Sequence, residues 1–527
     1  MLSDLLASPA VVVGLTLWLL IALWVSYRIP GRLIVADDAD GDIVRRIARN
    51  SLIPIASQLV IRGSDLAVAI VLLRLLGPEG NGRYAIAVVV WLYVKTLSDF
   101  GLSLLATADI ARDRSAAGRI IGETTLLRLL ILAISALPVG VYVAAGLSSD
   151  SLAVESAVAI LLLYLSVVPS SYAEAVNSAL NGFERMEIGA WLNIAVSLVR
   201  APLALILARW LGVEGVALAA LIAAALSADL YRRTASRTGV GDVAWSLGSA
   251  RARTLVARSW PLLVNALLVN LFFRVDVFIL QAVNGDEALG IYDASYKLIN
   301  LVTIVPAYVT LAIFPAMAQR SGDANSLDRT LRTASYFLVW IAWGIVATTT
   351  ALAGSAIRVL AGADYMPEAA ILLRILIWFA PLSFLNGIIQ YALVASEQQR
   401  RIVPAFVAAV TCNLALNVAL VPEYGARAAA FATVATEVVI LIAFALVTRA
   451  TALPAVTLGS LLRLWKPTVA GIIAALLSLY IAEQYGEALA AAVALITFTI
   501  LTLGLRVFGD RERAILRRVL HRPTVRV

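Results

Sequence analysis

The stretch Gly77-Pro78-Glu79-Gly80-Asn81-Gly82-Arg83-Tyr84 returns as Gly285-Asp286-Glu287-Ala288-Leu289-Gly290-Ile291-Tyr292, a shared G-x-E-x-x-G-x-Y pattern at an offset of 208 (285 − 77). Ahead of the first copy stand Asn50, Arg62 and Asp65; ahead of the second stand Asn265, Arg274 and Asp276. Further on, Ala179-Leu180 and Glu184 are answered by Ala392-Leu393 and Glu397, at an offset of 213 (397 − 184). The run opened by Gly215 is answered by the one opened by Gly425, at 210 (425 − 215). Landmarks in one order at a near-constant offset mark an internal duplication.

What is duplicated follows from the residues between the landmarks. The chain of 527 residues is 61% hydrophobic and only 14% charged, with mean hydropathy +0.90. A soluble chain would be nearer half apolar and a quarter charged. Apolar runs of the ~20 residues needed to cross a bilayer recur from end to end. They predict about fifteen spans: an extra first one near 9–27, then 51–75, 84–110, 120–145, 154–179, 188–211 and 216–231; next 260–283, 290–317, 334–353, 369–394, 402–421 and 428–447; finally 467–483 and 489–507. The expected organisation is an N-terminal anchor and linker (1–49), a six-helix bundle (50–236), a linker (237–258), a second six-helix bundle (259–449), and two further helices with a basic tail (450–527). Because each repeat holds an even number of spans, both copies face the same way. Such parallel repeats pack about an axis along the membrane normal. The expected class is therefore an all-α polytopic membrane protein of two six-helix bundles related by a pseudo-two-fold, plus two C-terminal helices and one extra N-terminal helix.

Basic residues set the expected orientation. Arg45, Arg46, Arg49, Arg112, Arg114, Arg119, Arg232, Arg233, Arg237, Arg251, Arg253, Arg258, Arg400 and Arg401 crowd alternate loops, and Arg511, Arg513, Arg517 and Arg518 fill the tail. By the positive-inside rule these loops and the C-terminus face the cytoplasm of a cell-membrane protein, and an odd number of spans puts the N-terminus outside. The net charge of +8 is accounted for in this way, so nucleic acid is not an expected partner. Cys412 and His521 are the only cysteine and histidine. The sequence thus lacks the ligand clusters that zinc, haem or iron–sulfur chemistry needs, and no cofactor is expected.

Ionisable residues inside the spans carry the functional reading. Arg62, Asp65, Lys95, Asp99, Arg128, Glu174, Arg200, Arg274, Asp276, Asp293, Lys297, Arg374 and Glu437 all fall within apolar runs. Each would cost ~2.5–3.5 kcal/mol at a helix centre facing lipid, so they should pair or line a wet cavity. Two of the three lysines, Lys95 and Lys297, are among them. Lys95–Asp99 and Asp293–Lys297 have the i,i+4 spacing that stacks side chains on one helix face. That spacing is open to two readings, mutual neutralisation and substrate contact. Arg128, Arg200 and Arg374 have no opposite charge within four residues, and the planar guanidinium suits phosphate. The buried carboxylates could bind a coupling proton or cation. A cationic lumen among lipid-embedded helices suits an anionic headgroup whose apolar tail stays in the bilayer. Short external loops without paired aspartates or histidine argue against a membrane glycosyltransferase or polymerase.

The run from Asn50 through Arg74-Leu75-Leu76-Gly77-Pro78-Glu79-Gly80-Asn81-Gly82-Arg83-Tyr84-Ala85 to Ser98-Asp99-Phe100-Gly101-Leu102 resembles the opening of polysaccharide (O-antigen type) flippases. Asn265, Arg274-Val275-Asp276, Gly290-Ile291-Tyr292-Asp293-Ala294 and Lys297-Leu298 resemble the start of their second half, and Asn181-Gly182 with Glu184-Arg185 resembles their turn. These proteins belong to the multidrug/oligosaccharidyl-lipid/polysaccharide exporter superfamily. The resemblance implies a V-shaped cavity between the bundles and export of undecaprenyl- or dolichyl-linked oligosaccharide by alternating access, driven by an H+ or Na+ gradient, beside other polysaccharide-assembly proteins. It also implies a cationic cavity, which places Arg62, Lys95, Arg274 and Lys297 among the substrate contacts. The first span and the acidic linker 36–42 depart from the usual plan. A peptidoglycan lipid-precursor flippase and a multidrug exporter are the alternatives within the superfamily.

Overall fold

The computed structural model describes residues 43–240, 242–319, 323–449 and 464–508; the expected first span, the acidic linker and the basic tail lie outside them. The described residues are mostly helical, with no strand among them, and the protein is a polytopic membrane protein. Each span expected from 51–75 onward falls on described helix. Nine described helices are long and apolar enough to cross a membrane. The chain divides into two compact units, Met1–Gly290 and Ile291–Val527.

The first unit holds α1 (Ile43–Asp99), α2 (Leu102–Arg112), α3 (Ala117–Ser148), α4 (Val154–Gly182), α5 (Met186–Ala235) and the larger part of α6 (Ser249–Val302). At 1.5 Å per residue the 57 residues of α1 would reach well past two membrane thicknesses. Glycines break these long elements. Gly77 in α1 (φ 68, ψ 179) and Gly285 in α6 (φ 81, ψ −177) share a conformation closed to residues with a Cβ. In α5 the break is at Gly212 (φ 56, ψ −130), and the chain turns back on itself there. A Cβ on Gly215 would lie 2.1 Å from the Leu207 carbonyl oxygen, whereas residues eight apart in a straight helix are ~12 Å apart.

The second unit holds the remainder of α6, α7 (Ile304–Gln319), α8 (Ala324–Leu360), α9 (Glu368–Leu376), α10 (Ala380–Ala395), α11 (Ile402–Arg449), α12 (Trp465–Tyr485) and α13 (Glu487–Gly504). Gly425 breaks α11 (φ 55, ψ −140) in the conformation of Gly212, not of Gly215 as the sequence landmarks suggest. The corrected offset, 213 (425 − 212), is the one already separating Glu184 from Glu397. Those two glutamates close the repeats' equivalent helices in the same way. At the end of α4 the Arg185 N–H bonds Leu180 O at 2.8 Å and Glu184 N–H bonds Asn181 O at 3.0 Å; at the end of α10 Gln398 N–H bonds Leu393 O at 2.8 Å and Glu397 N–H bonds Val394 O at 3.0 Å. Both are Schellman caps, with a left-handed glutamate where glycine is usual (φ 62 and 58). The duplication is therefore written in backbone geometry as well as in sequence.

Packing inside each unit relies on small residues, as expected where lipid removes the hydrophobic drive between helices. Ala175, Val176, Ala179 and Leu180 of α4 meet Ile110 of α2, Ile121 of α3 and Ile188 and Tyr231 of α5 in one buried cluster. The segment after α5 joins it through Val240, and its backbone lies in a track on α3, where a Cβ on Gly122 would sit 2.0 Å from Ala244 O. Outward-facing Leu137, Trp210 and Leu503 are 70–76% exposed, as side chains that meet hydrocarbon should be. In the second unit the two added helices dock on α8: Gly471 of α12 fits against Trp343, and Trp340 stacks on Phe498 of α13 and donates Nε1–H to Thr502 Oγ1 at 3.2 Å.

Candidate substrate cavity

A cavity of about 430 Å³ opens in the first unit among α1, α4 and α5. That size lies in the ordinary range for small-molecule sites. One face of α1 beyond its Gly77 break supplies Tyr84, Val88, Trp91 and Lys95, spaced as one helical stripe. Ser166 and Ser170 come from α4, and Asn193, Ser197 and Arg200 from α5. The lining thus combines hydroxyl and amide groups with two cations and an indole.

Both cations are paired, each across helices. Lys95 Nζ lies 3.0 Å from Glu174 Oε1 and 5.1 Å from the centre of the Trp91 ring. Arg200 bonds the Asp65 carboxylate of α1. These four side chains are 29–49% exposed, so the pairs are wet and exchangeable. Exposed ion pairs are worth only about 0–1 kcal/mol, little enough for an incoming anion to displace a carboxylate.

The remaining expected residues are distributed otherwise. The i,i+4 pair of Lys95 with Asp99 does not form, because Asp99 turns to Arg128 of α3 at 2.9 Å. Arg128 is fully buried, so it does not contribute a cation to the cavity. Its Nη2 also donates to Ser103 Oγ (2.8 Å), and its Nη1 to Ser171 O (3.2 Å). Arg128, Arg200 and Arg374 lack a partner on their own helix, as the spacing says, yet each finds one on another; Arg374 lies 3.8 Å from Glu487 of α13. Arg62 is exposed on α1 and outside the cavity lining. Asp276 is buried in α6 and accepts the Val277 N–H at 3.0 Å, with Arg274 partly buried two residues before it; neither lines this cavity. In the second unit the expected Asp293–Lys297 pair does form on α6, and buried Glu437 of α11 accepts from Asn386 Nδ2 at 2.7 Å.

The polar lining residues Trp91, Ser166, Ser170, Asn193 and Ser197 escape a search limited to charges. The signal lay in periodicity: Tyr84, Trp91 and Lys95 on one helix, and Asn193, Ser197 and Arg200 on another, each form a polar or aromatic stripe in an otherwise apolar run.

Helix pattern and cavity together define a multi-pass membrane protein with a polar, cation-bearing cavity in its first unit. Two solved structures share the fold: one described as "Lipid II flippase MurJ, inward closed conformation" (TM-score 0.67, 12% identity, covering 89% of this chain and 100% of that one), and an inward-facing multidrug resistance MATE family transporter (TM-score 0.59, 16% identity, covering 80% and 99%). The family described as "Polysaccharide biosynthesis protein" matches residues 47–321, just over half of the sequence, and MatE matches residues 261–422. The chain belongs to the polysaccharide biosynthesis protein family. No curated protein sequence matches it.

Proposed function

We propose that this transporter is a flippase that carries a polyprenyl-pyrophosphate-linked oligosaccharide from the cytoplasmic to the outer leaflet of the cell membrane by alternating access, for assembly of a surface polysaccharide. The observation that supports the reading is the wet pairing of Lys95 with Glu174 and of Arg200 with Asp65 around a polar cavity. A pyrophosphate offers charge and several acceptor oxygens to both cations. Ser166, Ser170, Asn193 and Ser197 offer donors and acceptors for sugar hydroxyls, and Trp91 offers a flat apolar face. The prenyl chain, as apolar as the bilayer, has no reason to leave it. When Lys95 and Arg200 turn to the pyrophosphate, Glu174 and Asp65 lose their partners, and they recover them when the headgroup leaves. Arg274, in the first unit, and Lys297, in the second, are further cations of α6, and Asp276, Asp293 and Glu437 are further carboxylates.

The basic loops orient the protein with those loops cytoplasmic. A peptidoglycan lipid precursor is the second reading, favoured by the likeness to a lipid II flippase, since that substrate carries the same class of headgroup. Liposomes containing the protein and a polyprenyl-pyrophosphate disaccharide bearing a dithionite-quenchable dye test both readings. The proposal expects the protein to make the inner-leaflet pool accessible, faster with an imposed ion gradient, and expects competition from unlabelled pyrophosphate-linked oligosaccharide. Unchanged sidedness overturns the flippase reading, and stronger competition by a muropeptide lipid favours the second.

A further inference from the structure

Two rungs join α1 to α4, starting from Lys95 and Asp99, one turn apart on α1. The first, Lys95 to Glu174 at 3.0 Å, is 39% and 29% exposed on its two sides, with Lys95 in the cavity lining. The second turns on a dry group: Arg128 reaches in from α3, fully buried, with Nη2 on the part-exposed Asp99 Oδ1 at 2.9 Å and Nη1 on the Ser171 carbonyl oxygen at 3.2 Å. The same Asp99 oxygen accepts the Ser103 N–H at 3.3 Å and the Ser103 hydroxyl, and so caps the start of α2 just past the left-handed Phe100-Gly101 break. Ser98 Oγ donates to the Arg128 carbonyl oxygen at 3.3 Å, which fixes α3 to α1 a second time.

The two rungs differ in how easily they part. A half-exposed ion pair exchanges partners readily, because water and salt compensate both charges. A buried charge cannot release its partner without being left uncompensated. From this asymmetry we infer that Arg128 is a positioning residue: it holds α1 and α4 at a fixed spacing, so that Lys95 and Glu174 can separate around an anionic headgroup and find each other again on release. The inference rests on the cavity reading given above. It assigns Arg128 no contact with substrate. It also explains why an arginine is needed, since only a planar fork reaches a carboxylate on one helix and a backbone carbonyl on another at once.

The test is a double-mutant cycle in proteoliposomes, read as initial flipping rate against concentration of the dye-labelled polyprenyl-pyrophosphate disaccharide. Lys95→Gln alone should raise the apparent KM roughly tenfold. Arg128→Lys, which keeps the charge but loses the fork, should raise it by a similar factor at normal folded yield, and Lys95→Gln added to it should cost less than twofold more, because the two act through one geometry. A buried apolar replacement, Asp99→Leu with Arg128→Met, keeps the volume without an uncompensated charge and serves if the lysine variant folds poorly. It should show the same raised KM and the same loss of sensitivity at Lys95. Clamp variants that only lower the yield of folded protein, with KM unchanged and Lys95→Gln still costing tenfold, overturn the positioning role and leave the cavity reading standing. A Lys95→Gln variant with wild-type KM in the native background overturns the cavity reading itself.

Discussion

Gly82 and Gly290 occupy reciprocal positions in the first unit: a Cβ on Gly82 would lie 1.7 Å from the Asp286 carbonyl oxygen, and one on Gly290 would lie 1.7 Å from the Pro78 carbonyl oxygen. Gly82 and Gly290 share the repeat offset, as do Pro78 and Asp286, so each copy of the motif receives the other's backbone. Asn81 Nδ2 donates to Gly290 O at 2.9 Å and ties the crossing together, and Arg83 Nε stands 3.6 Å from Asp286. The second glycine of G-x-E-x-x-G-x-Y is thus required by close approach, and the first, Gly77 or Gly285, by its positive φ.

Gly82→Ala and Gly290→Ala should each destabilise the protein by at least about 1–3 kcal/mol, the range for forcing a methyl into packed backbone. Gly140→Ala, in α3 with nothing within 4 Å of its Cβ position, is the control and should be neutral or stabilising by about 0.5–1 kcal/mol. Thermal unfolding in detergent compares the three. Equal midpoints would mean that the crossing is not tight.

Asp99→Ala should lose about 3–5 kcal/mol, because it leaves the fully buried Arg128 guanidinium without its carboxylate. Arg427→Ala breaks a pair with Glu368 that is 54% and 46% exposed on its two sides, and should lose no more than about 1 kcal/mol. Denaturant titration of both variants separates the two kinds of pair. A smaller loss at Asp99 than at Arg427 would reverse the ranking.

The two helices after the repeats are fastened through an aromatic seam, and one glycine tests it. Gly471→Val would drive a side chain into the Trp343 ring, whose nearest atoms stand 2.5 Å from the Cβ position. Overpacking of this kind costs about 1–3 kcal/mol, so α12 and α13 should detach first and protease should cut within them sooner than in the wild type. A digestion pattern identical to the wild type would show that these helices are held elsewhere.

The fold was legible because its signals are local. Apolar runs of membrane length, and glycines where the backbone must turn left-handed, can be read without knowing what lies opposite. One register is ambiguous in the sequence: Gly212 and Gly215 sit three residues apart, one for its φ and the other for its approach to Leu207, and the residues alone do not say which of them Gly425 repeats. The site was legible only in part. Charges in apolar helices stand out, so Lys95, Arg200, Asp65 and Glu174 could be named. Their partners could not, because i,i+4 spacing sees one helix, whereas Arg200 and Asp65 are 135 residues apart and Arg128 and Asp99 are 29 apart. For the same reason Arg128 looked like a free cation when it is a dry clamp.

The central claim is that the cavity of the first unit receives a pyrophosphate-sugar headgroup. Photocrosslinking measures this most directly: a polyprenyl-pyrophosphate disaccharide with a diazirine on the sugar is irradiated with the protein in liposomes, and the adducts are mapped by mass spectrometry. The account predicts adducts on the stretches around Trp91 to Lys95, Ser166 to Ser170 and Asn193 to Arg200, suppressed by excess unlabelled lipid and reduced severalfold in a variant carrying Lys95→Gln with Arg200→Gln. Adducts confined to outward-facing positions such as Leu137 and Leu503, unaffected by competitor or by the double variant, would contradict it.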